Sequence, residues 1–548
     1  MLETFIQAAE PASGQRAVAA LLNGKLRELS QPVYRDADVT PILMADSDGV
    51  RIYRRSLSFL MIAAAAEVLP QQCITVHHSM PFGGYYCERT VNCHDIQEPF
   101  ITEAELARLK QRMWELVQAD LPITQVRVPL DAALKLFREW GDLEKADLFA
   151  KRRKDYLTLY ELNGVRDYFH GFMVPRTGYL NLFDLRPYNR GFILQFPRRH
   201  EPDRLQPFED EPRLAQVFQE YSSWLDVVGT PSVASLNRAI REGRLQEVIL
   251  VAEALHQQQL ATIATQIAQR RPALKLVLIS GPTSAGKTTF SKRLAVQLLA
   301  HGIHPVAVAM DNYFVNREDT PRDPNGDYDF EQFEAVDVAL FQQHLRALLA
   351  GETIIQPRYN FHTGQREQGE PLRIGPKHVL IVEGIHGLNP RLIAGIPAET
   401  MYRIFISAFT QLNLDRHNRV PTTDTRLLRR IVRDASHRGY NAAATIRRWQ
   451  SVRRGEKNYI FPNQNNADVF FNSALVYEVA ALKSLAEPLL LQVEPGTPER
   501  IEANRLLAFL QWFDTIGLDG IPSDSILREF VGQSIMEYFS PWRHGLGE

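Results

Sequence analysis

Five short apolar runs punctuate the second half of the chain, at 276–279, 304–310, 379–382, 402–407 and 469–471. Between them apolar positions recur with helical period, as in Phe290, Leu294, Ala295, Leu298 and Leu299. Buried strands alternating with helices predict a parallel sheet covered on both faces. The first half has another rhythm. An apolar run at 17–22, the turn pair Asn23-Gly24 and a second run at 25–29 predict a hairpin. The most apolar stretch, 57–69, is too short to cross a bilayer and predicts a buried helix. A further helix is expected at 101–118. The acidic, proline-bearing segments Glu201-Pro202-Asp203 and Glu209-Asp210-Glu211-Pro212 mark a linker. Helical periodicity over 236–270 then predicts helices packing the front half against the sheet. Beyond about 491 two more helices are expected, at 501–513 and 523–539, with no visible chemistry.

A chain of 548 residues is too long for one core, and the pattern divides it at 1–65, 66–200, 201–270, 271–490 and 491–548. Apolar and charged shares of 45% and 23% are those of a soluble globular protein. A net charge of −2 excludes a global pull toward nucleic acid or anionic membrane, so any basic surface must be local. The three cysteines, Cys73, Cys87 and Cys93, are too few for a disulfide framework. The first residues show no basic-then-apolar signal pattern. A cytoplasmic protein without a membrane partner is expected.

The richest chemistry follows the run at 276–279. Gly281, Pro282, Thr283, Ser284, Ala285, Gly286, Lys287 and Thr288, followed by Thr289, satisfy G-x-x-x-x-G-K-[ST] between a strand and a helix. Such a loop wraps phosphates with backbone N–H groups at a helix N-terminus. Lys287 brings a full charge to the β- and γ-phosphates, and the Thr288 hydroxyl is placed for Mg²⁺. ATP and Mg²⁺ are therefore the expected cofactors. Asp311 and Glu383 end two other strands of the same sheet, and ligands bind parallel sheets at those ends. Asp311 is the candidate base, because a hydroxyl nucleophile needs a carboxylate to take its proton. Glu383 is the candidate Mg²⁺ carboxylate. Arg426, Arg429, Arg430 and Arg433 fall at i, i+3, i+4, i+7 and share one helix face. Arg447, Arg448, Arg453 and Arg454 surround Trp449, a pattern suited to phosphate contact, to packing, or to gripping single-stranded nucleic acid.

Two resemblances sharpen this. Met310-Asp311-Asn312-Tyr313-Phe314, Tyr328-Asp329-Phe330-Glu331, Ala335-Val336-Asp337, Glu383-Gly384-Ile385 and the run Asp424 to Arg430 resemble uridine–cytidine kinases in order and spacing. Phosphoribulokinase-like enzymes share the architecture. The resemblance implies a catalytic base at Asp311 and a mobile lid carrying the four arginines. It implies a ribose carboxylate at Glu334 and a base-gripping segment with Tyr359, Phe361 and Arg366. The family's base-reading histidine falls on Gly364, which implies relaxed base discrimination.

The front half resembles threonyl-tRNA synthetases. Leu22-Asn23-Gly24-Lys25-Leu26, Asp36-Ala37-Asp38-Val39 and Ile52-Tyr53-Arg54-Arg55-Ser56 resemble their ubiquitin-like TGS domain. His77 to Glu88 and Val174-Pro175-Arg176-Thr177-Gly178 resemble their editing domain. The family's H-x-x-x-H pair falls on Arg55 and Phe59, and its C-x-x-x-H pair on Phe169 and Met173. Arginine and phenylalanine are not usual metal ligands and methionine suits only soft metals, so the fold is expected without the editing chemistry. His77, His78, Cys87, Cys93 and His94 lack zinc-knuckle spacing.

The expected fold class is thus α/β, a P-loop NTPase kinase domain with a parallel sheet, preceded by a small ubiquitin-like α+β domain and an α+β synthetase-like domain. The expected activity is transfer of the γ-phosphoryl group of ATP to the 5′-hydroxyl of uridine or a related nucleoside. Two readings compete with it: a kinase of another hydroxyl substrate such as a sugar phosphate, and an RNA-binding regulatory factor with a nucleotide switch. A nucleoside substrate, weak RNA contact at the N-terminal module and a homo-oligomer are the expected partners.

Overall fold

A computed structural model of the chain describes residues 1–9, 16–69, 73–90, 100–152, 154–323, 326–410 and 412–539. The second half is built on a five-stranded parallel sheet. In spatial order its strands are His304–Ala309, His378–Glu383, Leu276–Ser280, Met401–Ser407 and Val469–Asn472. The central strand is wholly buried, as expected of a parallel strand covered on both faces. The helix Lys287–Ala300 leaves its end. A hairpin of Ile354–Asn360 and Gln365–Leu372 stands beside the sheet.

In the front half, Ala17–Leu22 pairs antiparallel with Lys25–Arg27 and with Val39–Leu43. Asn23 and Gly24 take φ of 49° and 71°, the two left-handed residues that a tight hairpin turn needs. The helix Ser47–Val68 runs straight across the boundary expected at 65. It buries the apolar stretch 57–61 in one core with the hairpin and with the four-stranded sheet carrying Cys73–Met80 and Gly84–Thr90. A separate three-stranded sheet, with Thr124–Pro129 at its edge, completes this half.

The expected packing helices divide into two roles. Val233–Arg241 touches the front half, where Arg238 pairs with Asp147 at 2.6 Å. Leu245–Gln269 instead joins the core beneath the phosphate-loop helix. The halves also meet directly. Val76 donates its N–H to Arg416 O at 2.9 Å, and Asn413 returns a bond to Val76 O at 2.9 Å. Lys145, only 1% exposed, lies between Asp167 at 2.6 Å and Asp415 at 3.7 Å, with His417 bonded to Asp167 at 2.6 Å. The C-terminal helix expected at 501–513 is Pro498–Leu510. The one expected at 523–539 is not a continuous helix. Only Arg528–Val531 is helical, and Gly532 ends it at φ +84°. The segment lies over the phosphate loop, and its apolar residues pack there rather than along one face.

None of the helices among the described residues is long and apolar enough to cross a membrane. Arg55, Phe59, Phe169 and Met173 come together. Phe59 and Phe169 are buried ring against ring at 5.2 Å, Met173 is buried, and Arg55 donates to Phe172 O at 2.5 Å. The described residues hold no cluster of three or more metal-ligating side chains; Cys93 and His94 lie outside them. His77 pairs with Glu88 at 3.2 Å, and His78 stacks on Phe218 at 4.0 Å.

Candidate active site

The phosphate loop turns where it does because its glycines allow it. A Cβ at Gly281 would lie 2.0 Å from Ile406 O, so only glycine lets the strand end pass the neighbouring strand. Gly286 takes φ +86° as it opens the helix. Lys287 donates to Gly281 O at 3.1 Å and Pro282 O at 3.2 Å, closing the loop over itself.

The sheet brings Asp311 and Glu383 to this loop. Glu383 accepts from the Thr288 hydroxyl at 3.2 Å. Burial pushes its carboxyl up to about 7; Lys287 opposes the rise, while Asp311 and Glu529 reinforce it. Asp311 follows the edge strand in a short turn, Met310–Tyr313. Burial also raises its carboxyl above the usual range, against the pull of Lys287, Arg438 and Arg433. Water still reaches Asp311 in the open cleft, which moderates that rise. A third carboxyl, Glu331, is pushed up to about 7 by burial, with Arg430 and Lys287 pulling it down and Glu456 and Asp329 pushing it up. Three carboxyls thus share the cleft with Lys287, Arg430, Arg433 and Arg438. The Thr288 hydroxyl and the Glu383 carboxylate, 3.2 Å apart, are hard oxygen donors that suit Mg²⁺ and are the residues that would hold it.

The acceptor side is joined to the base. Tyr359 N–H donates to Asn312 Oδ1 at 3.3 Å, and Arg366 N–H to Asn316 Oδ1 at 3.0 Å, so the hairpin is tied to the turn after Asp311. Tyr359 and Phe361 meet Phe314, with ring centroids 5.6 and 6.5 Å away. The Arg366 guanidinium is engaged with Asp337 at 2.8 Å.

Glu334 lies elsewhere than expected. It is exposed and pairs with Arg391 at 3.3 Å. The turn Phe333–Ala335 buries its two flanking residues and turns Glu334 outward. Glu331 is the carboxylate facing Lys287 and Arg430.

The four arginines are also divided. Their helix, Thr422–His437, is packed into the core rather than free to move as a lid. Arg426 is buried against Glu456 at 2.9 Å and donates to Thr283 O at 3.1 Å. Arg429 is buried against Glu478 at 2.5 Å and reaches Ser284 O at 3.4 Å. These two brace the loop's carbonyls. Arg430 reaches Thr283 Oγ1 at 3.4 Å, and Arg433 stands by Asp434 at 3.0 Å. With Arg438, which sequence reasoning left aside, these act on the cleft's carboxyls. Of the second basic set, Arg447, Arg453 and Arg454 pair with Glu499, Glu456 and Asp323 at 2.8, 2.7 and 2.7 Å, and Trp449 is buried. That arrangement is packing, not a strand-binding face.

The C-terminal segment supplies what the sequence did not suggest. Ile526 packs on Gly286, where a Cβ would lie 2.4 Å from it. Thr289 N–H donates to Glu529 at 3.0 Å, and Lys292 donates to Met536 O at 2.6 Å.

A phosphate loop on a parallel sheet, with two strand-end carboxyls beside it, defines the site of a P-loop phosphotransferase. More particularly, residues 276–480 match the Phosphoribulokinase / Uridine kinase family. The N-terminal region matches threonine–tRNA ligases. It is 31% identical over 186 residues to that of Methylococcus capsulatus, covering 33% of this chain and 28% of the relative. It is 32% identical over 170 residues to that of Marinobacter nauticus, covering 31% and 25%. The chain thus spans about a quarter of the length of these curated relatives. A solved structure described as a possible uridine kinase from Bacillus stearothermophilus aligns at 17% identity and TM-score 0.25, over 36% of this chain and 89% of that one.

Proposed function

We propose that the protein is an ATP- and Mg²⁺-dependent kinase that phosphorylates the 5′-hydroxyl of uridine or a related nucleoside. The observation that carries this is the tie between Asn312 and Tyr359, which sets an aromatic shelf beside a base facing the phosphate loop. A planar nucleobase would lie on Tyr359 and Phe361. Glu331 would accept hydrogen bonds from the ribose hydroxyls. Asp311 would then take the proton of the attacking 5′-hydroxyl as that oxygen bonds the γ-phosphorus and the bond to the β–γ bridging oxygen breaks, releasing ADP.

Bound Mg²⁺ would neutralise charge on the β- and γ-phosphates. Lys287, Arg430 and Arg433 are placed to hold the transferring phosphoryl group. The cleft is assembled without a mobile arginine helix, so loop closure is left to the hairpin and the C-terminal segment. The front half, with Arg55, Phe59, Phe169 and Met173 in place of editing ligands, acts as a docking and regulatory module.

The test is purified protein with Mg-ATP and a panel of uridine, cytidine, thymidine, adenosine and sugar phosphates, scored for product. Phosphorylation of pyrimidine nucleosides, uridine first, with broad base tolerance supports the reading. Phosphorylation of a sugar phosphate alone replaces it with a phosphoribulokinase-like activity.

A further inference from the structure

A cavity of about 880 Å³ lies between the two halves, and none of its lining residues belongs to the phosphate loop. It is walled by the hairpin 23–27 and the helix Ser47–Val68 on one side, and by 414–424 and the helix Pro498–Leu510 on the other. Nine lysine and arginine side chains line it against two carboxylates, Asp48 and Asp424. Both carboxylates are already engaged, Asp48 by Arg51 at 3.0 Å and Asp424 by Arg505 at 2.6 Å. Three more of the cations are matched from behind the wall, Arg51 and Arg505 by Glu502 at 3.0 and 2.7 Å and Arg453 by Glu456 at 2.7 Å; Lys25, Arg27, Arg54, Arg55, Arg419 and Arg500 keep the wall positive in a chain whose net charge is −2.

Three of these arginines form its centre. Arg54, Arg55 and Arg419 have no carboxylate partner among the described residues. Arg55 donates to the main-chain oxygen of Phe172 and Arg419 to that of His77, and the Tyr85 hydroxyl is a neutral hydrogen-bonding neighbour of Arg54 and Arg419. Arg54 Nε is buried with no hydrogen-bond partner. Arg54 stands over the Phe196 ring at 4.6 Å and Arg419 over Tyr85 at 4.9 Å, and a guanidinium held against a ring can still fork its remaining N–H groups onto a planar or tetrahedral anion. Burial depresses all three below the usual arginine range, and neighbouring arginines push Arg54 and Arg55 down further. Partly buried cations that repel one another and face an open cavity are a cost the fold sustains without an anion, and an anion relieves it.

We propose that this cavity is a binding site for a small polyphosphorylated anion, either inorganic polyphosphate or the phosphate chain of a nucleotide. Several guanidiniums converging on one space suit a chain of phosphates better than a single carboxylate, because each phosphate takes a bidentate arginine. The volume falls within the range of small-ligand pockets, roughly 300–1,000 Å³. The site stands whatever hydroxyl the kinase phosphorylates. Its wall includes Arg453, which pairs with Glu456 at 2.7 Å; Glu456 holds Arg426, and Arg426 holds Thr283 O of the phosphate loop at 3.1 Å.

The experiment uses the full chain carrying Lys287→Ala, without magnesium, so that the phosphate loop contributes little. Calorimetric titration with sodium tripolyphosphate and, separately, with UTP should show one binding event that weakens steeply with salt. Arg54→Gln and Arg419→Gln should each weaken it at least ten-fold. Lys25→Gln, at the exposed mouth, cannot disturb the core and should weaken it by a few-fold. A tighter UTP complex assigns the nucleotide as ligand; equal affinities assign the phosphate chain alone. No binding of either compound at millimolar concentration, or binding unchanged by all three substitutions, overturns the proposal. So does binding of a single-stranded RNA while tripolyphosphate and UTP both stay silent.

Discussion

Glu529 accepts the backbone N–H of Thr289 at 3.0 Å, in the first turn of the phosphate-loop helix. That N–H is one of the unpaired donors through which a helix N-terminus attracts anions. A side-chain carboxylate therefore occupies a place to which a phosphate oxygen would be drawn. Its charge also helps to raise Glu383. Glu529→Gln removes the competing charge and should tighten Mg-ATP binding about two- to five-fold, the scale of a carboxylate at a helix N-terminus. Calorimetric titration checks it, and an unchanged or weaker affinity means that Glu529 does not compete.

Asp311→Asn is nearly isosteric but cannot take a proton. Mg-ATP affinity should hold while kcat falls on the order of 10²-fold or more. The wild-type rate should also fall as pH is lowered. Burial raises the Asp311 carboxyl above the usual aspartate range, so it becomes protonated, and useless as a base, at a higher pH than an ordinary aspartate. The acid limb of kcat/KM should lie above that range and vanish in Asp311→Asn. A pH profile unaltered by the substitution would remove Asp311 from the role.

Two neighbouring glutamates separate the structural reading from the motif reading. Glu331→Gln should raise the KM for nucleoside at least ten-fold, through loss of charge-assisted hydrogen bonds worth about 1.5–3 kcal/mol. Glu334→Gln should leave it unchanged, since Glu334 makes only an exposed pair with Arg391. The opposite pattern would return the substrate role to Glu334.

The front half should not deacylate mischarged tRNA. Phe59 and Phe169 fill the space between the two helix and loop positions with apolar rings, and Arg55, a cation, cannot ligate a metal there. Metal-dependent release of amino acid by the full chain would contradict this.

The phosphate loop, the strand ends and the Asn23-Gly24 turn were legible in sequence because each is a local pattern with one physical solution. Strand, glycine turn and helix allow Lys287 few other places. The division of the arginines was not legible. Spacing puts Arg426, Arg429, Arg430 and Arg433 on one face, but whether a face meets solvent or a buried Glu456 and Glu478 depends on residues some 30 and 50 positions on. Glu331 and Glu334 differ only in which side of a single turn they occupy. The reach of Glu529 to Thr289 spans 240 positions of chain, and no local period announces it.

Lys145 stands among carboxylates drawn from both halves. Asp167 shows how strongly the group is held: burial raises its carboxyl, yet Lys145 and His417 outweigh that and bring it down to about 2. Because the folded value lies below the ordinary aspartate value of 3.8, its contribution is complete above that pH and is lost as pH falls toward 2. Parting the halves would leave Lys145 facing Asp167 without Asp415, and Asp415 buried without its cation. Neither half is then a free-standing cassette. The chain should melt in one calorimetric transition, and Lys145→Met should lower the melting of both halves together, by about 3–5 kcal/mol of stability. The phosphate-loop half and the synthetase-like half should thus behave as one thermodynamic unit, with a single transition in place of the two that independently folding parts would give.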